Sequence, residues 1–285
     1  MPRTVVAIIL PAMATRLIVN ADDFGFSRGV TDGILRSHCE GVLTSTTLMT
    51  NMPDRDRAID LAGQAPTLGV GIHLNLTQGA PLTTCPRLVG KDGMLVRSLP
   101  KLFWKLRSDA ARAEAEAEMR AQVEYAVKRG LKPTHVDSHK HVCHLPWLHA
   151  GLIRVCREMG IGWLRCAREV RVAGTGGLGL PYRVQVRFAQ SLAAKAKAAG
   201  LKTTDWFFGL GTTGRTDREI WQRLVERMPK GLGELMVQPG YVGDVTPQDT
   251  RLLKERVVEM EALCDPRLRA GLAAAGVRLV RYGDE

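Results

Sequence analysis

The feature that most constrains the fold is an alternation of short apolar segments with segments whose apolar residues have helical spacing. Residues 16–21 read Arg-Leu-Ile-Val-Asn-Ala, which is typical of a buried strand. Val30 and Ile34 follow with helical spacing, and Ser27 is a favourable residue for the start of that helix. This alternation predicts an α/β fold with a parallel sheet and outer helices. The seven predicted strands are 16–21, 42–50, 68–76, the first half of 134–146, 161–166, 233–241 and 277–282.

Amphipathic helices are predicted between most of these strands. The clearest is 108–129, which is rich in Ala and Glu and is closed by Gly130. The segment 77–100 contains many Gly and Pro residues and is predicted to be a functional loop rather than a simple connection. The other predicted helices are 55–64, 148–159, 217–227 and 247–263.

Polar side chains stand where the predicted strands end. Asp22 and Asp23 follow the first strand, His73 lies near the end of the third, and His139 and Gln238 lie at the ends of later strands. A site at the carboxyl ends of the strands is expected of a β/α barrel. An open doubly wound sheet would also gather residues at strand ends, near its switch point. We expect the barrel: a TIM-like β/α barrel of about seven parallel strands with outer helices.

A histidine-rich segment, 134–146, holds four of the seven histidines and one aspartate. A proline stands at each end, which argues against a helix through the whole segment. If its first half is a strand, His135, Asp137 and His139 point the same way. Imidazole and carboxylate are common ligands of zinc and similar ions, so the cluster favours a metal site over a polar loop of ordinary hydrogen-bonding histidines.

Composition limits the class of protein. The 285 residues, 45% hydrophobic and 24% charged, suit one globular domain, which we place at 15–285 after a disordered leader at 1–14. The net charge of +11 is spread out, without a run of five like charges, so a solvated basic surface is expected rather than a nucleic-acid partner. Six cysteines without a C-x-x-C pair indicate reduced thiols and a cytoplasmic protein, and no segment has the apolar length of a transmembrane span.

Four ordered motifs resemble those of one family. They are Asn20–Gly25 (N-A-D-D-F-G), Thr44–Thr47 (T-S-T-T), Gly71–His73 (G-I-H) and Thr134–His141 (T-H-V-D-S-H-K-H). Together they resemble the YdjC family of carbohydrate deacetylases, which includes chitooligosaccharide deacetylases and a branch tied to hopanoid biosynthesis. The resemblance runs from about Thr15 to the C-terminus.

The resemblance implies a β/α barrel that removes acetyl groups from N-acetylated sugars with a divalent metal ion, for which we expect zinc or magnesium. By position in the motifs it implies Asp23, His73 and His139 as metal ligands and Asp22 as the general base. Asp137 and His135 are then expected to orient and support the ligands. The implied substrate is an N-acetylglucosamine oligosaccharide or glycolipid. A homodimer is possible, since relatives are often oligomeric.

One position departs from the family pattern. Family members often carry a histidine in the late strand motif before Pro-Gly-Tyr, whereas this chain has Gln238. A glutamine cannot supply a proton at neutral pH. His141 and His144 are the candidate replacements, and return of the proton by Asp22 is the simpler alternative. A metal-binding family member without activity is the further alternative.

Three residues outside the motifs are predicted to bind the sugar: Asn75, Trp206 and Tyr241. Trp206 belongs to the aromatic stretch 203–211, for which core packing and a wall for a sugar ring are both open. The glycine-rich 174–180 lacks the G-x-G-x-x-G order and is predicted to be a flexible loop. A zinc protease of the H-E-x-x-H type is excluded because valine follows His135 where that mechanism needs glutamate.

Overall fold

The computed structural model describes residues 14–172 and 179–284. The predicted leader at 1–14 lies outside these ranges except for its last residue, and so does most of the predicted glycine-rich loop. Within the described ranges, no helix combines the length and apolar character needed to cross a membrane.

Seven strands and nine α-helices follow one another along the described chain. The strands are β1 (Thr15–Phe24), β2 (Ser45–Leu48), β3 (Gly69–Leu74), β4 (Val136–Ser138), β5 (Trp206–Phe208), β6 (Gly231–Val237) and β7 (Arg278–Leu279). The helices are α1 (Arg28–Cys39), α2 (Arg55–Gln64), α3 (Leu99–Lys105), α4 (Asp109–Lys128), α5 (His149–Glu158), α6 (Leu180–Ala198), α7 (Arg218–Glu226), α8 (Lys254–Leu263) and α9 (Pro266–Ala274). A 3₁₀ segment, His139–His144, follows β4.

The strands are parallel and form the wall of a barrel. Their order is β4-β3-β2-β1-β6-β5, and β7 pairs with the start of β1. The gap between β4 and β5 is closed by the segment 163–169, through the bridges Val136–Leu164 and Glu169–Phe207. The predicted β/α barrel is therefore confirmed. The predicted strand at 161–166 is corrected: it occupies this position but makes single bridges instead of a continuous ladder.

Four of the predicted helices, 55–64, 108–129, 148–159 and 217–227, begin and end within one residue of their predicted bounds. The Ser27 side chain accepts a hydrogen bond from the Val30 amide at the start of α1, as predicted. Ser108 does the same for α4, whose buried residues recur every three or four positions and pack against the sheet. The predicted helix 247–263 is shorter in the structure, because residues before Lys254 form turns and Leu253 provides no side-chain cap.

The C-terminal strand closes the end of the barrel where β1 begins. After β7, Tyr282 is fully buried and its ring stacks on His135 with 3.8 Å between centroids. Its hydroxyl donates to Glu234 Oε2 at 2.6 Å, and its amide donates to Ser45 Oγ at 3.1 Å. The barrel interior is therefore polar and hydrogen-bonded below the site that the strand ends form.

Candidate metal centre and active site

The carboxyl end of β1 brings two consecutive carboxylates into one cavity. Successive side chains of a strand normally point to opposite faces. Asp23, however, has a left-handed backbone with φ of 71°, and its carbonyl accepts the amide of Phe26 at 3.0 Å. Aspartate tolerates this conformation better than most residues. As a result, both Asp22 and Asp23 line the cavity.

Asp23, His73 and His139 offer ligand atoms that lie within 4.8 Å of one another. Asp23 Oδ1 is 3.4 Å from His73 Nε2 and 3.3 Å from His139 Nδ1. Two of these facing atoms, Asp23 Oδ1 and His73 Nε2, are buried without a hydrogen-bond partner in the described part of the chain. Unpartnered buried polar atoms are costly, and a divalent cation between the three residues would satisfy both of these atoms at once. The three residues therefore fit a metal ion.

Hydrogen bonds behind His73 fix the orientation of its ring. His73 Nδ1 lies 2.7 Å from Asp137 Oδ1 and 3.1 Å from Thr47 Oγ1. With its Nδ1 proton donated to Asp137, His73 directs Nε2 toward Asp23, and Nε2 is the nitrogen that a cation would bind. The expected supporting role of His135 is corrected: its ring stacks on Tyr282 instead, and burial lowers its pKa to about 3.

Arg256 binds the second oxygen of Asp23. Its Nη2 lies 2.5 Å from Asp23 Oδ2, and both side chains are almost completely buried. Burial alone would raise the pKa of Asp23, but Arg256 and the two imidazoles hold it well below its usual range. Asp23 is thus ionised, and only its Oδ1 faces the histidines.

Arg165 binds the other carboxylates at the centre of the barrel. Its Nη1 lies 2.7 Å from Asp22 Oδ1 and 2.5 Å from Asp137 Oδ2, and its Nε donates to Glu234 Oε1 at 2.7 Å. Asp22, His73 and Asp137 also have ligand atoms within 4.8 Å of one another, but the Arg165 guanidinium already supplies the positive charge there. Burial raises the pKa of Asp22 to about 7, although Arg165 and His73 oppose this shift.

The cavity has a volume of about 470 Å³ and is lined by Asp22, Asp23, His139, His141 and Gln238 among others. Lys140 and His141 both have left-handed backbones, with φ of 52° and 53°. These two residues turn the chain so that His139 faces Asp23 while the His141 ring reaches the cavity. Burial, with His144 and Arg165 nearby, holds the pKa of His141 well below its ordinary value, so its imidazole is neutral.

The two candidate replacements for a proton donor differ in position. His141 lines the cavity, whereas His144 lines a neighbouring groove. His144 Nε2 accepts the amide of Ala167 at 3.4 Å, and burial lowers its pKa to about 3. Gln238 also lines the cavity, and its Oε1 has no hydrogen-bond partner in the described ranges.

The structure places the three predicted sugar-binding residues away from the cavity lining. Trp206 is only 3% exposed and packs its indole over Gly233, where a Cβ would come within 2.0 Å of the ring. The prediction of a sugar wall at Trp206 is thus corrected to core packing. Asn75 is fully buried and binds Asn51 Oδ1 and the Gln78 carbonyl, so its side chain shapes a loop. Tyr241 is exposed outside the cavity.

Sequence reasoning missed the three buried charges that organise the site, Arg165, Glu234 and Arg256. Glu234 offered a signal, because it is a charged residue inside the apolar strand β6. Arg165 offered a similar one at the end of the predicted strand 161–166. Arg256 is one of several charged residues in a helix, and its sequence position did not distinguish it.

Comparison with known proteins agrees with the motifs. A family model described as YdjC-like protein matches residues 16–274. A carbohydrate deacetylase of Geobacillus stearothermophilus is 37% identical over 93% of this chain and 96% of its own length. A carbohydrate deacetylase of Vibrio vulnificus strain YJ016 is 38% identical over 94% of this chain and 96% of its own.

A solved structure shares the fold. It is the crystal structure of an Enterococcus faecalis V583 protein named for cellobiose-phosphate cleavage, with a TM-score of 0.76 and 24% identity. The match covers 94% of this chain and 98% of that protein. With a family match that leaves out only the two ends, the chain belongs to the YdjC-like protein family, as its four strand-end motifs predicted.

Proposed function

We propose that this protein is a metal-dependent hydrolase that removes the acetyl group from an N-acetylated sugar. The observation that carries the proposal is the group of three ligand atoms on Asp23, His73 and His139, two of them without a hydrogen-bond partner, which lies beside Asp22 in an open cavity. Relatives that are named carbohydrate deacetylases, matched over nearly their full length, support the same activity.

Asp23, His73 and His139 would hold the metal ion. Two imidazoles and one carboxylate favour zinc over magnesium, because magnesium prefers oxygen ligands. A bound divalent ion would lower the pKa of a water molecule and polarise the acetyl carbonyl. Arg256 keeps Asp23 ionised and Asp137 fixes the His73 ring, so the protein holds these donors in place before the substrate enters.

Asp22 acts as the general base in this proposal. Its carboxylate lines the cavity and is held by Arg165 at 2.7 Å, which fixes its direction. A pKa of about 7 lets it accept a proton from the attacking water near neutral pH. The same pKa lets it give that proton to the amine as the amide bond breaks.

His141 and Gln238 position the substrate. Because the pKa of His141 is low, its ring is neutral at working pH and serves as a hydrogen-bonding group rather than as a proton donor. The unpartnered Oε1 of Gln238 can accept a hydrogen bond from the acetamide N–H or from a sugar hydroxyl. Asp22 thereby remains the single proton carrier of the site.

The test is acetate release from N-acetylglucosamine oligosaccharides and glycolipids with added zinc, magnesium or cobalt. We expect release that a chelator stops, and we expect His139→Ala to abolish it. His38→Ala is the matched control, since His38 binds Leu43 and Thr67 outside the cavity. Stoichiometric metal binding without acetate from any substrate would refute the deacetylase and leave a metal-binding protein.

A weakened catalyst is the second candidate function, because Gln238 lines the cavity where the family pattern has histidine. If Asp22 returns the proton, Gln238→His changes turnover by less than about threefold. Turnover and bound metal are measured on the same preparation. A rise of about tenfold at unchanged metal content would instead show that the site lacks a proton donor.

A further inference from the structure

Exposed apolar side chains cluster on two helices beside the mouth of the cavity. They are Leu99, Phe103 and Trp104 on α3, with Leu180 and Val184 at the start of α6, and we call these five residues the docking face. Trp104 is 64% exposed and Leu180 is 72% exposed. Single exposed apolar residues are common, but a contiguous group of this kind usually marks an interaction surface.

The docking face surrounds a groove of about 400 Å³ that joins the catalytic cavity. Leu99, Lys140, His141 and Gln185 line both the groove and the cavity. A partner on the docking face therefore lies directly beside the opening through which substrate enters.

The two segments that carry the docking face are basic. Residues 94–107 contain four lysines and arginines and no acidic residue. Residues 179–198 likewise contain four basic residues and no acidic one. Arg97, Lys101 and Arg183 are exposed, as is Lys140 between the two helices. Exposed tryptophan, phenylalanine and leucine with a basic surround is the composition of a protein surface that binds anionic lipid.

We propose that the docking face binds the surface of an anionic lipid bilayer and turns the mouth of the cavity toward the lipid headgroups. Trp104, Phe103 and Leu180 enter the interfacial layer, while Arg97 and Arg183 contact the phosphates. The phosphates of a nucleic acid could pair with the basic residues, but a nucleic acid would bury little apolar surface against the aliphatic Leu180 and Val184. The proposal goes beyond the proposed function, because bilayer binding requires neither metal nor substrate.

The test is co-sedimentation of the full chain with lipid vesicles. We expect about tenfold stronger binding to phosphatidylcholine vesicles that contain phosphatidylglycerol than to phosphatidylcholine alone, and weaker binding as salt increases. Trp104→Ser should weaken binding to the anionic vesicles by about tenfold through lost apolar burial. Val258→Ser is the matched control, since Val258 is a similarly exposed apolar residue on α8.

A charge variant checks the same surface independently of apolar packing. Arg183→Glu combined with Arg187→Glu should also weaken binding to anionic vesicles, with the thermal unfolding midpoint unchanged. The proposal is overturned if the two vesicle types bind equally, or if neither is bound. It is also overturned if light scattering shows a dimer that Trp104→Ser dissociates, or if RNA is retained more tightly than vesicles.

Discussion

Asp22 and Asp23 are adjacent in the chain, yet each is bound by a different arginine and has a different proton affinity. Arg256 holds the pKa of Asp23 well below its usual range, whereas burial raises the pKa of Asp22 to about 7 against the effect of Arg165. Two carboxylates with separated pKa values suit two different roles. In the proposed mechanism the permanently charged one holds the metal and the other moves the proton.

Asp22→Asn should separate these roles. We expect acetate turnover to fall by about two to four orders of magnitude, because the amide cannot accept the proton. Bound zinc, measured on the purified protein, should stay at the wild-type level. Asp23→Asn is the comparison and should lose the metal. Loss of metal from Asp22→Asn as well would contradict the division of roles.

His73 links metal binding to pH. In the metal-free site Asp137 and Asp22 raise the pKa of His73 to about 10, although burial acts in the opposite direction. A metal ion at Nε2 must displace that proton, so below pH 10 the apparent affinity should rise about tenfold per pH unit. Titration calorimetry in buffers of different ionisation enthalpy should detect about one released proton. An affinity for zinc that does not change between pH 6.5 and 8 would contradict this expectation.

Residues of the site could be predicted from the sequence where the signal is local, and could not where it depends on a partner far along the chain. The proximity of Asp23, His73 and His139 could be predicted because each belongs to a local motif at a strand end. Arg256 lies 233 residues from Asp23, and no local pattern marks that contact. Trp206 was misjudged because its burial depends on Gly233, a residue on the neighbouring strand. The sequence therefore predicts which local motifs carry polar side chains, but it does not predict which distant residues contact them.

At the scale of elements, Tyr282, which follows β7, connects the C-terminal end of the described chain to the candidate site through Glu234 and Arg165. The Tyr282 hydroxyl donates to Glu234, Glu234 binds Arg165, and Arg165 holds Asp22. Each of these side chains is buried. Tyr282, three residues after β7, is thus joined through three hydrogen bonds to the proposed base.

Tyr282→Phe should lower the free energy of unfolding by about 1–3 kcal/mol, because buried Glu234 loses a hydrogen-bond donor. The measurement is urea unfolding at neutral pH. Tyr182→Phe is the control, since Tyr182 is 38% exposed and its change should fall within about 0.5 kcal/mol. Equal small effects of the two substitutions would show that the Tyr282 hydroxyl contributes nothing measurable.

At the scale of the whole molecule, buried titratable groups set how stability depends on pH. Burial lowers the pKa of His135 and of His144 to about 3, so both stay neutral in the folded protein while the unfolded chain protonates near 6.5. Each therefore lowers stability as pH falls from about 6.5 toward 3, by up to about 1.4 kcal/mol per pH unit. Asp22 and Glu169, with pKa values raised to about 7, act in the opposite sense.

A variant isolates the contribution of one histidine. His135→Phe keeps a ring against Tyr282 and removes the titration. The free energy of unfolding of the variant minus that of the wild type should be lowest near pH 7.5. It should increase steadily below pH 6.5, because only the wild type loses stability through His135 there. Urea unfolding across this range in the presence of a chelator is the measurement. A difference that does not vary with pH would show that His135 is not buried as a neutral ring.

The gap between β4 and β5, which segment 163–169 closes, limits how such a protein can change over evolution. Segment 163–169 closes the barrel there with single bridges, and Arg165 within it also holds the proposed base. The Arg165 guanidinium thus both binds residues of other strands and lowers the pKa of Asp22, the proposed proton carrier. A substitution of Arg165 that shifts the working pH therefore also removes its contacts to Asp137 on β4 and Glu234 on β6, which constrains adaptation at that position.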